Sequence, residues 1–100
     1  MEINFTTSAN ISFEDEIEFI LRKWNLDEVE KFMNLVDDFI NNLSKNPYLG
    51  KKSNKRAIRV FVISKQTTVI YKVFDDINKI DVLYFWNNKR NPKDLKKYII

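Results

Sequence analysis

Residues 59–71, Arg59-Val60-Phe61-Val62-Ile63-Ser64-Lys65-Gln66-Thr67-Thr68-Val69-Ile70-Tyr71, decide how this 100-residue chain folds. Two β-branched and aromatic runs flank a three-residue polar joint, which is the pattern of a β-hairpin. The first run extends from Arg56 to Ser64 and is apolar on both faces, which predicts a strand central in its sheet. The second runs from Thr67 to Phe74. Asp75-Asp76-Ile77-Asn78 then reads as a turn, because Asp and Asn bond their own backbone there, and Lys79 to Trp86 as a third strand.

Upstream, Asn46-Pro47-Tyr48-Leu49-Gly50 marks the point where the period changes. Before it, Phe13, Ile17, Ile20, Leu21 and Trp24 recur at spacings of three and four, which predicts a helix over 13–24. Ser12 with Asp15 three residues on fits a capping box at its start. After a short joint, Asn25 caps a second helix whose stripe is Val29, Phe32, Met33, Val36, Phe39, Ile40 and Leu43. The acidic residues of both helices read as solvated faces. Ile3 to Thr6 adds an edge strand, and the tail from Pro92 to Ile100 a helical turn. The order β-α-α-β-β-β makes residues 1–100 a single α+β domain, its helical hairpin packed on a small, mainly antiparallel sheet.

Composition narrows the chemistry. With 44% hydrophobic and 31% charged residues, one Gly and two Pro, the chain is neither disordered nor low in complexity. The longest apolar run, Val82 to Trp86, falls far below the ~18 residues of a membrane span. No basic and apolar leader precedes the domain, so a soluble, cytoplasmic protein is expected. Zero Cys and zero His exclude disulfides, thiolate nucleophiles, zinc fingers and Ser-His-Asp triads. A metal site would need carboxylates alone, and the pair Asp75-Asp76 reads as a turn, so no cofactor is expected. The net charge of +3 conceals a polar division of the chain. Residues 1–50 sum to −6 (4 basic, 10 acidic), and residues 51–100 to +9 (13 basic, 4 acidic).

Such asymmetry points to a basic face for nucleic acid or an acidic partner. Lys51, Lys52, Lys55, Arg56 and Arg59 cluster around the start of the hairpin, while Lys89, Arg90, Lys93, Lys96 and Lys97 follow the last strand. If strand entrance and exit share a sheet edge, the two clusters frame one cleft that holds phosphates or acidic side chains. The aromatics at strand spacing are mostly core, and Trp86, beside the second cluster, is the candidate for an exposed exception. Lys52, Lys55, Arg56, Arg59, Trp86, Arg90 and Lys93 are therefore the expected partner-binding residues.

Several segments together resemble toxins of the RelE/ParE superfamily from type II toxin–antitoxin systems. They are Phe5-Thr6-Thr7-Ser8-Ala9, the joint 24–32, Asn46-Pro47-Tyr48-Leu49-Gly50, the hairpin 59–71 and Phe85-Trp86-Asn87-Asn88-Lys89-Arg90-Asn91-Pro92-Lys93-Asp94-Leu95. The resemblance implies an antitoxin partner, a toxin–antitoxin hetero-oligomer, and one of two mechanisms. RelE-type members cleave mRNA on the ribosome with Lys, Arg and Tyr side chains, whereas ParE-type members inhibit DNA gyrase. Carried over by position, the strand Lys pair falls at Arg59 and Phe61, the third-strand Arg at Thr68 and the C-terminal Tyr at Lys96. Only the Arg after the last strand persists, as Arg90; Tyr98 lies two residues late. If the chain is a nuclease, Arg59, Arg90 and Tyr98 carry it. The substitutions place the chain nearer the ParE type, a binding inhibitor without catalytic residues, with the ribosome-dependent nuclease as the alternative.

Overall fold

Thr6 stops one strand and starts one helix. In the computed structural model, which describes residues 1–55, 57–90 and 94–95, β1 (Glu2–Phe5) leads directly into α1 (Thr7–Lys23). The Thr6 side chain accepts the Ala9 N–H at 3.1 Å and caps the helix. The capping box expected at Ser12 is therefore wrong: Ser12 lies within α1 and is buried. Asn25 caps α2 (Leu26–Lys45) as its sequence predicts, accepting the Glu28 N–H at 3.0 Å. Four more strands follow: β2 (Lys51–Lys52), β3 (Ile58–Val62), β4 (Thr67–Phe74) and β5 (Lys79–Asn87). Between the last two, Asp75–Ile77 forms a short 3-10 turn closed by Asn78 in the left-handed region (φ 53°), a conformation Asn tolerates.

The strands order as β1-β5-β4-β3-β2. β1 pairs with β5 in parallel and the other pairs are antiparallel. The central strand is β4, not β3 as both-face apolarity suggests. β3 meets only the two residues of β2 on its outer side, and Val62 stays 64% exposed. Its two-sided pattern has another cause: each sheet face carries a cluster. On the helix side, Phe32, Phe39 and Leu43 of α2 and Ile20 of α1 pack with Val69, Tyr71, Val82 and Phe85. On the other side Ile58, Ile70 and Trp86 form a smaller cluster against which Val60, Tyr84 and Leu95 pack.

α1 buries a stripe rotated from the expected one. Ala9, Ser12, Glu16 and Ile20 are buried, while Leu21 and Trp24 are 49% and 41% exposed. The reason lies on β5, whose upper half extends past the end of β1. An uncovered edge there would leave backbone groups unpaired, and α1 supplies the partners. Thr6 Oγ1 donates to Leu83 O at 3.2 Å, and Ser12 Oγ accepts the Phe85 N–H at 2.9 Å. Polar residues thus occupy the buried face because the edge they cover is itself polar.

Candidate functional site

Arg59 and Arg90 are the arginines of the two expected basic clusters that the structure describes. Arg59 stands opposite Tyr71 on β4 and so shares the helix-side face of the sheet. The loop 46–50 folds over it. Arg59 Nη1 donates to Gly50 O at 2.8 Å, and the guanidinium lies 5.0 Å from the centre of the Tyr48 ring. Tyr48 in turn donates its hydroxyl to the Asp75 carboxylate, a bond that raises its pKa. Tyr71 holds this loop from beneath. Its hydroxyl donates to Pro47 O at 2.9 Å and accepts the Gly50 N–H at 2.7 Å. Burial pushes the Tyr71 pKa up. Only Gly fits at 50, since a Cβ there would stand 2.7 Å from Val60 O and 2.9 Å from the Tyr71 ring. Exposed Lys52 pairs in register with Arg59, and the two share with Tyr48 and Asp75 a shallow cavity of about 210 Å³.

Arg90 sits elsewhere. Its Nη1 donates to Tyr84 Oη at 3.1 Å and its guanidinium lies 5.9 Å from the Trp86 ring centre. Both aromatics belong to the cluster on the sheet face away from the helices. Arg59 aligns through Tyr71 with Val82, five residues before the end of β5, which is roughly 16 Å along the strand. This distance, and the different cavities the two residues line, mean that Arg59 and Arg90 do not frame one cleft. Trp86 is corrected too: it is 3% exposed, a buried anchor beneath Arg90 rather than an exposed stacking platform. Lys55 is exposed in the turn before β3. Arg56, Lys93, Lys96, Lys97, Tyr98 and the expected helical turn over 92–100 lie outside the described residues, apart from Asp94 and Leu95, which are helical.

The remaining nuclease positions are committed to structure. Phe61 stacks on Phe39 with ring centres 4.9 Å apart, facing α2. Thr68 Oγ1 donates to Asn88 Oδ1 at 2.7 Å on the opposite face.

Sequence reasoning missed Glu16. Read as part of a solvated face, it is 3% exposed, and Thr67 Oγ1 donates to its Oε2 at 2.5 Å. Burial raises its pKa; the Thr67 and Asn87 hydrogen bonds and the charge of Arg90 oppose that rise. It lies at the base of a cavity of about 430 Å³ lined also by Asp15, Glu18, Arg22, Lys89 and Arg90. Nearby, the adjacent positive charge of Lys89 lowers the pKa of Lys23. The spacing 9-12-16-20 carries the signal, because Glu16 falls on the line joining Ala9, Ser12 and Ile20.

The family described as ParE toxin of type II toxin–antitoxin system matches residues 3–92. No curated protein sequence matches the chain. Solved structures with the same fold include the chromosomal ParDE system of P. aeruginosa, 12% identical, with TM-score 0.71 over 87% of this chain and 95% of that one. A YoeB/ParE toxin from Agrobacterium tumefaciens is 18% identical, with TM-score 0.63 over 88% and 99%. The E. coli RelBE toxin–antitoxin complex is 14% identical, with TM-score 0.61 over 89% and 98%. At these identities the likeness establishes the α+β fold.

Proposed function

Because the chain belongs to the ParE family of toxins from type II toxin–antitoxin systems, we propose that it arrests growth by binding DNA gyrase and not by cleaving RNA. The observation that carries this reading is the fate of the nuclease positions. Phe61 is locked against Phe39 where a charged side chain would be needed, and Arg59 gives its guanidinium to Gly50 O. Cleavage through a 2′-hydroxyl requires a group that takes its proton, and a guanidinium does not deprotonate. Among the described residues, Arg90, seated on Tyr84 and Trp86 at the end of β5, is the cation assigned to meet the target in this reading.

A cognate antitoxin neutralises it, with an acidic segment that meets the basic second half of the chain. Since Arg59 and Arg90 are separated by roughly 16 Å along the sheet, that segment extends along it to reach both. One observation favours the alternative of a ribosome-dependent nuclease: the Arg90–Tyr84 pair sets a phenol 3.1 Å from a fixed positive charge.

Two assays on the purified toxin separate the readings. Inhibition of gyrase supercoiling, lost in Arg90→Ala, is expected. Cleavage of A-site mRNA on programmed ribosomes, lost in Tyr84→Phe and Arg90→Ala, refutes the gyrase reading and establishes the alternative.

A further inference from the structure

Arg59 is anchored through one nitrogen. Its Nη1 donates to two carbonyls of the 46–50 loop, Gly50 O at 2.8 Å and, more weakly, Tyr48 O at 3.5 Å. The buried Tyr71 hydroxyl keeps that loop in place through Pro47 O and the Gly50 N–H. Nε and Nη2 retain their hydrogens with no acceptor among the described residues. They form the side edge of the guanidinium, the fork that takes a carboxylate through two parallel N–H···O bonds. A second cation stands beside it. Lys52 is the register partner of Arg59 across the β2–β3 pair, so both side chains leave the same face of the sheet. Among the described residues neither forms an ion pair. Like charges directly opposite each other destabilise a strand pair, and an anion held between them reverses the sign.

We propose that the cavity at Arg59 is a carboxylate-binding site: it takes one Glu or Asp side chain of a partner peptide, forked on Nε and Nη2 of Arg59 with Lys52 beside it. Three features select that ligand. The cavity, about 210 Å³, lies below the roughly 300–1,000 Å³ of sites for drug-sized molecules, which suits one side chain and not a nucleotide. Ile58 and Val73 in its lining offer apolar surface to the methylenes of that side chain. Asp75, on the same lining and bonded by the Tyr48 hydroxyl, repels the run of phosphates that a nucleic acid brings and tolerates one carboxylate bound at Arg59. The inference rests on the reading of an acidic antitoxin segment and assigns one of its contacts.

The experiment titrates the isotope-labelled toxin at low salt and follows the Arg59 Nε–H and the backbone amides by NMR. The probes are a capped oligopeptide of alternating Ala and Glu, its Ala-Gln counterpart and a single-stranded oligouridylate. The Glu peptide shifts the Arg59 Nε–H and the Gly50 amide saturably, and the Gln peptide does not. Arg59→Lys keeps the charge and loses the fork, so it weakens binding of the Glu peptide about tenfold. Lys52→Gln, at an exposed position that leaves the fold intact, also weakens it. Lys65→Gln removes an equal charge at the exposed hairpin tip and leaves binding unchanged. An Arg59 Nε–H unmoved by the Glu peptide, or equal losses in Lys52→Gln and Lys65→Gln, overturns the site. Preference of the Arg59 Nε–H for the oligouridylate overturns it in favour of a phosphate. If the Glu peptide shifts only the Lys89 and Arg90 amides, the acidic partner stands and this site falls; if it shifts nothing, both fall.

Discussion

Replacing Tyr71 by Phe removes a single oxygen from beneath the loop that carries Tyr48 and Gly50. The ring is fully buried and meets Phe39 edge-on at 5.9 Å, so packing is preserved and only polar terms change. Two bonds disappear: the hydroxyl no longer donates to Pro47 O and no longer accepts the Gly50 N–H. Gly50 is buried, and its N–H is left without that acceptor. Stranding one buried donor costs about 1–3 kcal/mol, so the expected destabilisation is about 2 kcal/mol. For a domain of this size that lowers Tm by roughly 10 °C. Denaturant unfolding followed by tryptophan fluorescence gives the measurement, with the midpoint falling at constant slope. Tyr48→Phe serves as the comparison, because its hydroxyl bonds Asp75 at the exposed surface, where water replaces the lost partner, and its midpoint should stay close to that of the wild type. Equal midpoints for the two variants refute the claim that Tyr71 anchors the loop. A pH signature accompanies it. Burial raises the Tyr71 pKa in the folded protein above the ordinary 10.0. The stability linked to its neutral form is therefore full below pH 10 and lost as pH rises through the folded value; Tyr71→Phe lacks this alkaline loss.

The helix-side core makes a larger demand: Phe32→Ala, which empties a site stacked on Phe13, or Ile20→Ala should each cost about 2–5 kcal/mol, and an unchanged denaturant midpoint contradicts the packing. Glu16 has a raised pKa, so its contribution to stability is full below the ordinary 4.5 and declines as pH rises through the folded value. Asp15, Glu18, Arg22, Lys89 and Arg90 face the same cavity, and Arg90 limits the rise. Stability measured relative to Glu16→Gln should fall as pH rises above 4.5; a flat difference removes this linkage. For the antitoxin complex, reversing Lys52, Lys55 and Arg90 to Glu should slow association at low salt by about tenfold or more, and on-rates equal to the wild type dismiss the acidic segment.

Periodicity alone carried the element types: the hairpin at 58–74, both helices and the Asn25 cap need only local spacing and local hydrogen bonds, which a sequence displays directly. The α+β grouping followed from their order. What sequence could not supply was the identity of the surface each face meets. Ser12 has the residue type of an N-cap and became a buried acceptor because the free upper half of β5 needed one. Glu16 has the type of a solvated acid and is buried because Thr67 and Asn87, 51 and 71 positions away in the chain, satisfy it. β3 looked central because apolar residues on both faces report two clusters, not two neighbouring strands. The two basic clusters, close to the hairpin's start and the last strand's end in sequence, were separated by register: Arg59 aligns with the middle of β5, while Arg90 follows its end and rests on Tyr84 and Trp86. Local chemistry fixes which segments are helix and which are strand. Which side chains share a face, and which charges meet, depends on strand register and helix rotation, and those are decided only when distant polar groups find partners in the folded sheet.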